Sequence, residues 1–287
     1  MKRSFLEKIK NMAKLTVVIA TVLTVAAGCA TTAFASTKVA CIGDSLTRGY
    51  LLENEADSYP AQLQKALGSD YEVKNFGQTA SYVIDDGTLE YVDTEMYPKS
   101  VAYDADILVF MFGANDIRAY NWTPKYFENQ YAEVVETYLR SNKARKIYFI
   151  IPPEARDEYF GLQRNAVEAT LKLAGRFGAT VIDSYNLAIG HPEYYMPDKV
   201  HFYGNFYGKL ADLVASAVKG QTQGTEIGGV RFIEAAEETI TAEVINENNQ
   251  LFTAAEKAKA MRDEANAGAL KALLAAHPDY ETTGLWD

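Results

Sequence analysis

Gly43-Asp44-Ser45-Leu46 follows directly on the apolar run Lys38-Val39-Ala40-Cys41-Ile42. A short β-branched run that stops at Gly-Asp-Ser reads as a strand delivering one serine into a turn at a sheet edge. Open α/β sheets place their chemistry at the carboxyl ends of strands, so Ser45 is the first candidate nucleophile. A serine in such a turn also serves commonly as a helix cap. At neutral pH a serine nucleophile needs a base within hydrogen-bond reach, usually histidine. The chain offers His191, His201 and His277. His277 lies in a C-terminal tail, and His191, in Gly190-His191-Pro192-Glu193, fits a loop or capping role. His201 closes Asp198-Lys199-Val200-His201, where one short turn carries both a base and a carboxylate able to fix its tautomer. The plainer alternative is a turn leading into a helix, with Asp198 as its cap and His201 incidental.

Acyl transfer also needs donors aimed at the oxyanion of a tetrahedral intermediate. Asn75-Phe76-Gly77 ends a second apolar run, and its glycine exposes a backbone N–H to close approach. Gly113-Ala114-Asn115-Asp116 ends a third, setting the Asn115 amide at the same edge. Each has a structural alternative, a tight turn for Gly77 and an Asx-turn for Asn115. Their succession at strand ends, in the order Ser, Gly, Asn, Asp-x-x-His, favours the chemical reading.

The elements that must hold these groups are legible as five strands, Val39–Ile42, Glu72–Phe76, Asp106–Phe112, Lys146–Ile151 and Thr180–Asp183. The third is apolar at nearly every position, as a strand covered on both faces should be. Helices are expected over Tyr59–Leu67, from Thr123-Pro124 to about Arg140, over Glu158–Arg176 and over Tyr203–Lys219, with Ser58, Thr123 and Gly68 as end signals. Strand–helix alternation argues a parallel sheet between helical layers, spanning residues 36–220. Residues 221–287 change character. Gln221–Gly229 is a polar linker, Val230–Ile233 and Thr239–Ile245 fit short strands, and Thr253-Ala254-Ala255-Glu256 opens an Ala-rich helix toward His277.

With these blocks in view, the chain resembles the SGNH hydrolases, also called the GDSL esterase/lipase family, over about residues 37–219. The resemblance rests on Gly43-Asp44-Ser45-Leu46, Gly77, Gly113-x-Asn115-Asp116 and Asp198-x-x-His201. It implies a flavodoxin-like three-layer α/β/α sandwich around a five-stranded parallel sheet. Ser45 would be the nucleophile, His201 the general base and then acid, and Asp198 its orienting carboxylate. The oxyanion hole would comprise the Ser45 and Gly77 N–H groups and the Asn115 amide, with no metal or cofactor. Thr47 stands where a G-x-S-x-G nucleophile elbow needs glycine. The chain departs from the family in Phe202, where proline is frequent, and in Gln78-Thr79-Ala80, where relatives carry a Gly/Ser-rich stretch.

For the substrate, Asp44, Tyr120, Trp122 and Phe202 are the candidate contacts, within a wider set of loop aromatics that includes Tyr50, Tyr194, Tyr195 and Tyr203. Aromatic faces suit sugar rings, though loop aromatics are also ordinary packing. Gly113–Tyr131 resembles the bacterial sialate-O-acetylesterase-like carbohydrate esterases, which implies a small acyl, chiefly acetyl, ester of a glycan or other small molecule as substrate. A lysophospholipase or thioesterase of the same family is the alternative, and a catalytically silent glycan-binding protein is the alternative outside enzymology.

At 287 residues and 48% hydrophobic content, the chain can bury one full-sized core. Residues 1–35 read as a secretory signal peptide. A basic stretch from Lys2 to Lys14 precedes the apolar Leu15–Ala27, and Ala33-Phe34-Ala35 fits a cleavage site. The competing readings are a lipoprotein signal with Cys29 as the lipidated residue and an uncleaved anchor. Cleavage before Ser36 implies a secreted or cell-surface bacterial protein without stable membrane insertion. It would move the formal charge from −10 to −14. So acidic a chain, with no Lys/Arg cluster, lacks the electrostatic footprint of a nucleic-acid binder. Cys41 would then stand alone, without a disulfide partner, and no Cys/His grouping has metal-ligand spacing.

Overall fold

A computed structural model of the chain describes residues 35–85, 88–144, 146–155, 166–188, 191–222 and 224–234. The expected signal segment, strand Thr239–Ile245 and Ala-rich helix therefore lie outside the described residues, as does the first part of the helix expected from Glu158. Seven strands form one sheet: β1 (Thr37–Gly43), β2 (Tyr71–Gly77), β3 (Ile107–Met111), β4 (Lys146–Ile151), β5 (Thr180–Asp183), β6 (Thr225–Ile227) and β7 (Val230–Ile233). Their spatial order is β2-β1-β3-β4-β5-β7-β6, parallel throughout except for the β6–β7 hairpin. The five expected strands occupy the five expected positions. The sheet is not five-stranded and does not end at residue 220: Val230–Ile233 pairs with β5, and Thr225–Ile227, inside the stretch expected as a linker, joins it as the antiparallel edge strand β6.

The helices are α1 (Ser45–Arg48), α2 (Tyr59–Leu67), α3 (Met96–Ala102), α4 (Pro124–Ser141), α5 (Val167–Phe177), α6 (Tyr185–Ala188) and α7 (Gly204–Lys219). Thr123 caps α4 by accepting from the Tyr126 N–H, just ahead of Pro124. α5 stops at Gly178 in the left-handed conformation. Two cores result from the alternation along the central strands. Leu108, Phe110 and Phe112 face α4 and α5, packing with Phe127, Tyr131, Tyr138 and Leu173. Ile107, Val109 and Met111 face α2 and α7, packing with Tyr59, Leu63, Phe206 and Leu210. Burial on both faces explains why β3 reads as an unbroken apolar run.

From β1 the chain steps outward to β2 and then returns to the other side of β1 as β3. That reversal opens a crevice outside the carboxyl ends of β1 and β3, where sheets of this winding hold their ligands. Ser45 leaves β1 and Asn115 leaves β3 at this point.

Candidate active site

Ser45 is the first residue of α1, a single turn whose N-cap is Asp44. The Asp44 Oδ1 accepts from the Leu46 N–H at 2.9 Å, and Gly49 closes the turn in the left-handed conformation. As the first helical residue Ser45 has no intrahelical partner for its own N–H. The hydroxyl sits 2.9 Å from His201 Nε2, and His201 Nδ1 sits 2.6 Å from Asp198 Oδ2. A carboxylate at Nδ1 assigns the ring proton to that nitrogen and leaves Nε2 to accept the serine proton.

The Asp198 turn is built to hold this alignment. Its other oxygen, Oδ1, accepts from the Val200 and His201 N–H groups, both at 3.0 Å, while Lys199 takes a left-handed φ of 60°. The Met196 N–H donates to the His201 carbonyl at 2.8 Å, and Tyr195 bridges Phe202. Burial works against the Asp198 carboxylate, but the bonds from the His201 ring and from the two backbone N–H groups outweigh it and hold its pKa below the usual range. The acid thus stays ionised beside the ring that it orients.

Asn115 is nearly buried, 7% exposed, with both ends of its amide committed. Nδ2 donates to the Ser81 carbonyl at 3.0 Å, and Oδ1 accepts from Arg118 Nη2 at 2.9 Å. An NH2 group carries two hydrogens, so one remains to meet an oxyanion. Asp116 braces the same edge by accepting from Val83 (2.7 Å), Ile84 (2.9 Å) and Gly113 (3.1 Å) N–H groups. Its burial raises the pKa to about 6 despite those donors.

Gly77 is not an oxyanion donor. Its N–H already donates to Asn75 Oδ1 at 2.9 Å, and the residue is packed beneath α1, where a Cβ would lie 2.2 Å from the Arg48 nitrogen. Glycine is needed there so that β2 can approach the nucleophile turn. Ala80 is the next candidate along the chain. The preceding Gln78 N–H donates to the Gly43 carbonyl at 2.9 Å, and the following Ser81 carbonyl holds Asn115. Ala80 itself is exposed, has a left-handed φ of 63°, and no described residue accepts from its N–H. A non-glycine residue is strained in that conformation, which Leu51, Asp104 and Lys199 also adopt.

The substrate contacts expected from sequence divide. Asp44 and Phe202 are both 0% exposed, so neither side chain is open to a substrate. Asp44 is the cap of α1, and burial, reinforced by the nearby Asp116 charge, raises its pKa to about 7 against the Leu46 N–H bond. Phe202 stacks on Phe206 with centroids 4.1 Å apart, anchoring the His201 turn in the core. Trp122 is half-buried against the core on the α4 side. Tyr120 is 89% exposed, two residues beyond Arg118. Tyr50, from the wider aromatic set, meets His201 edge-on at 5.1 Å and is half-exposed. His191 pairs with Glu193 and stacks on Tyr194, and His277 lies outside the described residues.

Residues 41–207 match the GDSL-like lipase/acylhydrolase family. An acetylxylan esterase of Xylanibacter ruminicola is 27% identical in an alignment 206 residues long that covers 63% of this chain and only 43% of that relative. In structure, the native aryl esterase of M. smegmatis is similar at 20% identity and a TM-score of 0.52, over 64% of this chain and 99% of that one. The lipase/acylhydrolase of Enterococcus faecalis is similar at 22% identity and a TM-score of 0.52, over 67% and 100%. At such identities the likeness speaks to the fold. The matched span contains Ser45, Asn115, Asp198 and His201, and on that ground the chain belongs to the GDSL-like lipase/acylhydrolase family.

Proposed function

We propose that the protein is an exported serine esterase that removes small acyl groups, acetyl foremost, from carbohydrate through an acyl-Ser45 intermediate. The observation that carries the reading is the continuous relay from Ser45 Oγ through His201 to Asp198, at 2.9 and 2.6 Å. Ser45 Oγ attacks the ester carbonyl carbon as His201 Nε2 takes its proton. The carbonyl oxygen becomes an oxyanion, met by the Asn115 amide and by the Ser45 and Ala80 N–H groups. His201 then gives its proton to the departing alkoxide oxygen, which leaves as an alcohol. Water, deprotonated by the same nitrogen, releases the acid and restores Ser45.

The carbohydrate acceptor is supported by the exposed aromatic faces of Tyr50, edge-on to His201, of Tyr203, two residues after it in the chain, and of Tyr120. It is supported also by the similarity to an acetylxylan esterase of Xylanibacter ruminicola. Export is supported by the basic, apolar and A-x-A succession of residues 1–35. The test is acetate release from a panel of acetylated glycans, acetylated xylan included, with Ser45→Ala as control. Release at equal rates from both proteins would exclude the mechanism. Activity rising from C2 to C10 acyl chains would instead favour a lysophospholipase or thioesterase.

A further inference from the structure

We propose that Arg118 is a positioning residue for the oxyanion donor. Its guanidinium, bonded to Asn115 Oδ1 at 2.9 Å, sets which end of the Asn115 amide faces the reacting carbonyl and strengthens the N–H offered there. The inference rests on the acyl-transfer reading of the site.

An asparagine amide presents an acceptor at one end and two donors at the other, and it fits its pocket in two orientations. Here a donor-only group, the Arg118 guanidinium, meets one end, and an acceptor-only group, the Ser81 carbonyl, meets the other. Turning the amide over would set NH2 against guanidinium and oxygen against oxygen. Both neighbours therefore select one orientation, and only in that orientation does the free Nδ2 hydrogen remain available to an oxyanion. Arg118 is tied to this position by its own backbone as well, since its N–H donates to the Asn115 carbonyl at 3.0 Å. The turn Asp116–Arg118 thus folds the guanidinium back onto Asn115, the residue at its N-cap.

The bond is charge-assisted, and hydrogen bonds in series polarise one another. A cation on Oδ1 draws density from the amide and makes the far N–H a stronger donor. The gain is largest when a full negative charge stands before that N–H, which occurs in the tetrahedral intermediate and not in the ester. The expected signature is a loss in kcat with KM preserved.

The experiment measures kcat and KM on p-nitrophenyl acetate, and the affinity for a phenylboronic acid that forms a tetrahedral adduct on serine. The proteins are the wild type, Ser45→Ala, Arg118→Ala, Arg118→Lys, Asn115→Ala and the Asn115→Ala/Arg118→Ala double variant. Arg118→Met, which keeps the apolar stem, replaces the alanine variant if that one fails to fold. Arg118→Ala is expected to lower kcat about tenfold with KM within about twofold, and to weaken the boronic acid by a similar factor. Arg118→Lys recovers most of the loss by returning a cation. On the Asn115→Ala background the Arg118 substitution adds nothing, because the group it serves is gone. This last comparison separates the proposal from an effect through the Asp44 carboxyl, which Arg118 also faces. An unchanged kcat in Arg118→Ala, or a loss that multiplies in full onto Asn115→Ala, overturns it. If Ser45→Ala and Asn115→Ala also turn over at the wild-type rate, the acyl-transfer reading falls and takes this inference with it.

Discussion

Gly77 lies so close to Arg48 that a Cβ on the glycine would stand 2.2 Å from the Arg48 nitrogen. β2 thereby packs directly beneath the turn that carries the nucleophile. Gly77→Ala keeps the backbone N–H, so it would be mild if that N–H served catalysis. It is expected instead to destabilise the protein by about 3 kcal/mol or more, since the clash is with backbone that cannot yield. Urea denaturation with residual activity of the folded fraction checks this.

The relay makes a graded expectation. Ser45→Ala abolishes acyl-enzyme formation, read as loss of labelling by a fluorophosphonate probe. Asp198→Asn leaves the turn able to form but removes the charge that fixes the His201 tautomer, and turnover is expected to fall by roughly 10³–10⁴. Ser45→Ala should melt close to the wild type, whereas Asp198→Asn gives up a carboxylate stabilised by three donors and should melt lower.

Ala80 should separate strain from function. Its left-handed φ of 63° costs about 1 kcal/mol more than the same conformation in glycine. Ala80→Gly keeps the N–H, so it is expected to raise stability or leave it level while kcat stays within about twofold. Ala80→Pro removes the N–H and forces φ negative, and kcat is expected to drop by about 10² or more. Melting curves and steady-state kinetics on the pair decide the matter.

Asp44 bears on pH. Unfolded, its carboxyl ionises near the ordinary aspartate value of about 4, and folded at about 7. Folding therefore takes up protons between those values, and the stability Asp44 contributes is full below about pH 4 and lost as pH rises through 7. Asp116 and Asp183, each raised to about 6 by burial, act in the same direction. Asp44→Asn keeps an oxygen for the Leu46 N–H and removes the buried charge. Its Tm is expected to exceed that of the wild type at pH 8 and to converge with it at pH 4. A gap that widens toward low pH would contradict this.

The relay was legible because its parts are local. Asp198 and His201 share one turn, and Ser45 follows an unmistakable strand. The second oxyanion donor was misread because residue type does not show whose N–H is already spoken for. Asn75, two residues before Gly77, was the missed signal, since asparagine bonds the backbone N–H two positions on. Asp44 and Phe202 were misread for a related reason. Neighbours of catalytic residues in sequence can point into the core, and both do. Val230–Ile233 was visible as a strand, but its place beside β5 depends on a pairing across some fifty residues of chain that no local pattern records.

The nucleophile and its base are 156 residues apart, one at the first strand and the other just before α7. Contacts at such separation carry a large loop-closure cost and slow folding. Hydrolysis is therefore a clock on refolding, since it cannot return before α7 docks against α2 and brings His201 over β1. A helix signal recovering ahead of esterase activity would time that closure without any added label.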